Sequence, residues 1–208
     1  MRFLPALAVL FLASPASAQL VVPLTTPDGR VACTQGLTGI GRPPDLQGIA
    51  DPDGPDGWAL AEVAGDPNDL RFPLCISEQA VTRDLDATLR FKPLSGTRAR
   101  VGGLLFRAQS ASDYYVVRAN ALDNSVRFYR MEKGKRSQIA GKEAPVDSDK
   151  WHSLRVIASN ESFEVSLDGK TLFSATDRSL PQPGAMGVWS QADSVTHYGS
   201  LLVGSVVR

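Results

Sequence analysis

The sequence is short of the residues that build most catalytic and metal centres, with 2 Cys and 2 His in 208 residues. No C-x-x-C, C-x-x-C-H, H-E-x-x-H, G-x-S-x-G or Walker-A pattern occurs. Redox dithiol, haem-attachment, zincin, serine-hydrolase and P-loop readings therefore fall away. Gly36-x-x-Gly39-x-Gly41 runs into Arg42-Pro43-Pro44 and not into a helix, so it makes no phosphate cradle. Charge of one sign is lacking too: Lys+Arg is 22 against Asp+Glu 22. A general nucleic-acid binder needs a basic excess to neutralise phosphates. No apolar run reaches the ~20 residues of a membrane-spanning helix. Helical periodicity is almost absent, and only Ser77-Glu78-Gln79-Ala80-Val81 has room for one short turn. At 43% hydrophobic and 21% charged, the chain is nonetheless not of disordered composition.

What is present begins with an address. Arg2, the apolar stretch Phe3 to Ala13, the break at Ser14-Pro15 and the small-x-small end Ala16-Ser17-Ala18 have the plan of a secretory signal peptide over residues 1–18. The expected location is then periplasmic or extracellular. In an oxidising compartment Cys33 and Cys75 suggest a disulfide closing a loop of about 40 residues. The alternative is two buried thiols, since Cys75 lies in the apolar run Phe72-Pro73-Leu74-Cys75-Ile76.

Residues 19–69 are rich in Pro, Gly and Asp, which favours loops with one or two short strands, including Trp58 to Ala64. From Leu70 onward apolar residues recur at period two. Leu85, Ala87, Leu89 and Phe91 share one face, and Asp86, Thr88, Arg90 and Lys92 the other. Similar runs cover Leu104–Arg107, Tyr114–Ala119, Val126–Met131, His152–Val156, Phe163–Leu167, Met186–Val188 and Leu201–Val203. Asp168-Gly169 is a type I′ hairpin signature, and Asp123-Asn124 and Glu132–Lys135 mark further turns. Short strands separated by tight turns predict an all-β antiparallel sandwich or barrel. Residues 70–208 would form it, with 19–69 packed on it as part of the same domain.

The stretches Gly103-Leu104-Leu105-Phe106-Arg107 and Asp113-Tyr114-Tyr115-Val116-Val117-Arg118-Ala119-Asn120-Ala121-Leu122 resemble a known family. Trp151-His152, Asp168-Gly169-Lys170 and Gly187 to Thr196 extend the likeness. The chain is similar to bacterial exported proteins with a laminin-G-like, concanavalin-A-like jelly roll, close to the 3-keto-disaccharide hydrolase domain family. That resemblance implies a jelly roll whose outer sheet face binds sugar. It also implies three functions: an envelope carbohydrate-interacting module without catalysis, a hydrolase or lyase of 3-keto-glycosides, or a protein-protein adhesion module.

Alternation places Arg107, Arg118, Trp189 and Gln191 on one outward face. An indole for a sugar ring and guanidinium and amide groups for hydroxyls suit a carbohydrate or envelope polysaccharide. In the alternative a loop covers Trp189 and the arginines pair with Asp113 or Asp193. For catalysis, the candidate bases are His197 and Asp193, with Arg107 or Arg118 as oxyanion stabiliser. Asp51, Asp53 and Asp56 are hard oxygen ligands for calcium, or a solvated turn; no other cofactor is expected. His152 reads as a hydrogen-bonded, half-buried residue. Arg127, Arg130, Lys133, Lys135 and Arg136 form a basic hairpin, read as a solvated β-turn or as a contact for an anionic envelope polymer.

Overall fold

The computed structural model describes residues 19–54 and 57–206. The expected leader, residues 1–18, lies outside them. Among the described residues the strands run β1 (Leu20–Val22), β2 (Thr34–Gly39), β3 (Leu46–Ala50), β4 (Trp58–Glu62), β5 (Arg71–Thr82), β6 (Leu85–Ser95), β7 (Val101–Ser110) and β8 (Asp113–Asn120). They continue with β9 (Ser125–Glu132), β10 (Lys135–Glu143), β11 (His152–Ser159), β12 (Ser162–Leu167), β13 (Lys170–Thr176), β14 (Gly184–Trp189) and β15 (Val195–Gly204).

Two antiparallel sheets result. One has the order β13-β12-β11-β6-β15-β4-β3, with β1 also paired to β15; the other has the order β10-β9-β8-β7-β14-β5-β2. Strand pairing accounts for most of the turns foreseen. Asp168 (φ 50°) and Gly169 (φ 78°) both take the left-handed conformation that joins β12 to β13. Lys133 and Gly134 do the same between β9 and β10.

Period-two alternation sends Leu89 and Phe91 of β6, Leu104 and Phe106 of β7, Tyr115 and Val117 of β8, Phe128 of β9, Leu154 and Val156 of β11 and Val188 of β14 into one core between the sheets. Each such side chain contributes about 1.5–3 kcal/mol through its removal from water. Phe106, Tyr115, Phe128 and Phe163 pack ring to ring there, at centroid separations of 4.9–6.0 Å.

Two expectations are corrected. Ser77–Val81 is no helical turn but part of β5, held between β2 and β14. Residues 19–69 carry four strands, two more than expected, and all four join the sheets. The Cys33–Cys75 disulfide is formed, with Cα atoms 5.4 Å apart. Cys75 lies on β5 and Cys33 just before β2, so the bond staples the edge of the seven-stranded sheet.

Candidate functional site

On β8 the residues that alternate with the core ones are Tyr114, Val116 and Arg118, so they project from the outer face of the seven-stranded sheet. Leu105 of β7, Tyr129 and Met131 of β9, Trp189 of β14 and Phe72 and Leu74 of β5 join them in a second buried apolar cluster. This face divides into a dry aromatic part and a charged part.

The dry part is built around Trp189. Its indole stacks on Phe72 at 5.4 Å and 17°, and its Nε1 donates to the Tyr114 hydroxyl at 3.0 Å. Tyr114 also shares a hydrogen bond with Thr38, and burial pushes its phenol up to about 12. Arg71, itself buried, closes this end. It donates to the carbonyls of Arg42, Pro43 and Ala192 and pairs with buried Glu62. Three chain segments distant in sequence are thereby tied down beside Trp189. The indole, expected to meet a sugar ring, is 0% exposed and has no free face.

The charged part centres on Tyr129. The Arg136 guanidinium of β10 lies 4.9 Å from the Tyr129 ring centroid and 4.6 Å from that of Phe72. The Arg118 guanidinium lies 6.0 Å from the Tyr129 ring. Gln191, just beyond β14, accepts from Arg136 Nη1 at 3.0 Å and donates to the Asp69 carbonyl at 3.3 Å. Arg118 Nη1 donates to Ser125 Oγ at 2.9 Å and meets Asp123 at 3.4 Å, while its buried Nε has no partner. Burial pushes the Arg136 guanidinium below its ordinary value, and neighbouring Arg118 pushes the same way.

Of the four residues expected on one outward face, Arg118 and Gln191 flank this charged patch, Trp189 lies under the adjacent cover, and Arg107 is elsewhere. Arg107 has φ 51°, at a bulge where the β7–β8 register breaks after Phe106. The bulge cancels the alternation and turns the side chain inward, where it lies over the Phe163 and Tyr115 rings. It donates there to the carbonyls of Arg83, Leu180 and Asn160. Arg136 was the residue missed. Its pairing with Met131 across β9 and β10 places it on the same face as Tyr129, a relation the sequence showed only as a basic hairpin.

The expected acid-base residues are not brought together. Asp193 accepts from the backbone N–H groups of Thr97, Arg98 and Ala99 and from the Thr97 hydroxyl, at 2.7–3.2 Å. His197 points from the eight-stranded sheet, and its Nδ1 meets Asp51 Oδ2 at 2.6 Å. The same Asp51 oxygen meets Lys92 Nζ at 2.7 Å, and Oδ1 accepts from Asp53 N–H. Asp51 is thus committed to cations and backbone, Asp53 is exposed, and Asp56 lies outside the described residues. Among the described residues, no group of three or more His, Cys, Asp or Glu side chains is arranged to hold a metal ion. His152 is buried, bonded to Asp168 and to the Asp147 carbonyl.

The family model for the laminin G domain matches residues 96–207. The chain belongs to the laminin G domain family. This laminin G domain is also 30% identical over 111 residues to levanase of Bacillus subtilis (strain 168), a match taking in 52% of the chain but only 16% of that protein. Among solved structures it is similar to carbohydrate binding module CBM66 from Bacillus subtilis, with TM-score 0.64 and 21% identity over 82% of this chain and 95% of that one. Domain 4 of AbnA, an arabinanase from Geobacillus stearothermophilus solved with arabinotriose, matches with TM-score 0.54 and 11% identity over 83% and 84%. The fold of the laminin G domain described here is thus a concanavalin-A-like jelly roll. None of these matches carries the narrower 3-keto-disaccharide hydrolase assignment.

Proposed function

We propose that this laminin G domain is an exported, non-catalytic carbohydrate-binding module, and that its site is the charged part of the outer face of the seven-stranded sheet. One observation carries the reading: the half-buried Arg136 guanidinium and Gln191 amide are bonded together at the surface of this face, with Arg118 and Tyr129 buried beside them. Guanidinium and amide N–H groups donate to sugar hydroxyls. The names of the levanase, the carbohydrate binding module and the arabinotriose-bound domain support this chemistry. The Cys33–Cys75 disulfide supports export, because such bonds persist in oxidising compartments. The 3-keto-glycoside reading receives less support, since His197 is bonded to Asp51, Asp193 to Thr97 and Arg118 to Ser125, three separate sets of partners.

Affinity electrophoresis through gels containing soluble plant and microbial polysaccharides tests the proposal. The protein is expected to be retarded by at least one of them, and the Arg136→Gln/Gln191→Ala double variant to migrate as in a blank gel with an unchanged melting curve. Equal retardation of variant and parent would move the site elsewhere. No retardation in any gel would remove the carbohydrate reading.

A further inference from the structure

The arginines along this face are not all directly paired. Arg98 pairs with Asp69, Arg118 with Asp123 and Arg127 with Glu143. Arg136 pairs with no carboxylate among the described residues; its contacts are the Gln191 amide oxygen and the faces of Phe72 and Tyr129. Of these four guanidiniums Arg136 is the one without a direct ion pair, Asp69 acting on it only at longer range, and it is half-buried.

A guanidinium does not shed its proton to escape such a position. Ring faces and one amide oxygen supply part of what water would give it, but not a counter-charge. Arg118 is only loosely matched, because its pairing with half-exposed Asp123 at 3.4 Å is long and its Nε is unpartnered. The two cationic groups approach the same ring from opposite strands, β8 and β10, with β9 between them. Arg118 and Tyr129 are buried, at 7% and 8% exposure, so an anion reaches this charge at half-buried Arg136, beside Gln191.

We propose that the Arg136 face takes a carboxylate-bearing sugar, a uronate, whose carboxylate lies on the half-buried Arg136 guanidinium while its ring lies along Gln191, with Arg118 adding positive charge from its buried position. This inference rests on the carbohydrate-binding reading and narrows it. Neutral sugar hydroxyls satisfy the donors but leave the charge uncompensated. A carboxylate satisfies both and matches the guanidinium fork.

The test compares each uronate with itself. Oligosaccharides of galacturonate, glucuronate and mannuronate are titrated by calorimetry as free acids and as methyl esters, which differ in charge and by one methyl group. The free acid of at least one is expected to bind the protein about tenfold or more tighter than its ester, the size expected of a charge-assisted pair. The preference should shrink as potassium chloride is raised. Arg136→Gln should bind acid and ester alike at the ester's affinity. Arg136→Lys, which keeps the charge and loses the fork, should keep the salt dependence with a smaller preference. Melting curves for both variants establish that they fold. Acid binding no tighter than ester in every pair would overturn the uronate inference. The carbohydrate reading would still stand if neutral polysaccharides retard the protein in gels, and would fall with it if they do not.

Discussion

Trp189 separates facing a given side from being reachable on that side. Alternation along β14 put its side chain on the outward face, and that is where it points. Period two says nothing about cover, however, and the cover comes from residues near 42, 71 and 192 brought together by Arg71. A buried Trp holding a stacked ring and a hydroxyl is a stability element. Trp189→Ala should cost about 3–5 kcal/mol in urea unfolding. A loss below about 1 kcal/mol, well under the range for buried aromatic truncations, would show that the cover opens in solution. Arg107 illustrates a second limit. A bulge with positive φ reverses the side on which Arg107 lies, and nothing in the local sequence announces it. Arg118, on an unbroken stretch of β8, was legible for the opposite reason.

The strands that could be read were those with one face in the core and one polar face, such as β6 and β11. Three kinds could not. β5 is buried on both faces over Arg71–Cys75, so its alternation vanishes; its Ser-Glu-Gln stretch then suggests a turn. β10 is an edge strand with exposed Lys135, Lys142 and Glu143, polar enough to hide its periodicity. The short β1, β2 and β3 lie among Pro and Gly and are strands because β15, β5 and β4 exchange hydrogen bonds with them. β2 has a covalent hold as well. Replacing both cysteines with alanine should lower stability by about 2–4 kcal/mol, the usual effect of opening a loop of this size. The denaturation midpoint reads it out, and an unmoved midpoint would mean that hydrogen bonding to β5 alone fixes the edge.

At the scale of the molecule, two carboxylates clamp segments far apart in sequence. Asp51 joins the loop before β4 to Lys92 of β6 and His197 of β15, and Asp193 joins residues 97–99 to the turn after β14. Burial alone would raise both. At Asp51 the hydrogen bonds from Lys92 and His197 outweigh it, and at Asp193 those from Thr97, Arg98 and Ala99 do, holding each at about 2 against an ordinary 3.8. A folded-state pKa below the unfolded one means stability that is present above about pH 4 and lost as the pH falls toward 2. The melting temperature should therefore drop through that window. Asp193→Asn should melt lower than the parent at pH 7 and lose less on acidification; an acid loss identical to the parent's would assign the effect to other groups. These pairings join positions 96 and 146 apart in the chain, beyond the reach of any local pattern. The layered architecture could be read from the sequence for that reason, and the clamps could not.

The pairing of β1 with β15 has one more consequence. The first and last strands lie side by side in the eight-stranded layer, and Leu20, Val203 and Val206 line one hollow with Val81 and Thr82 at the rim. Arg118, Tyr129 and Arg136 belong to the opposite layer. Val81 and Thr82 come from β5 of that second layer, so the hollow sits where the two layers meet, and a tether at either strand end would hold the molecule there.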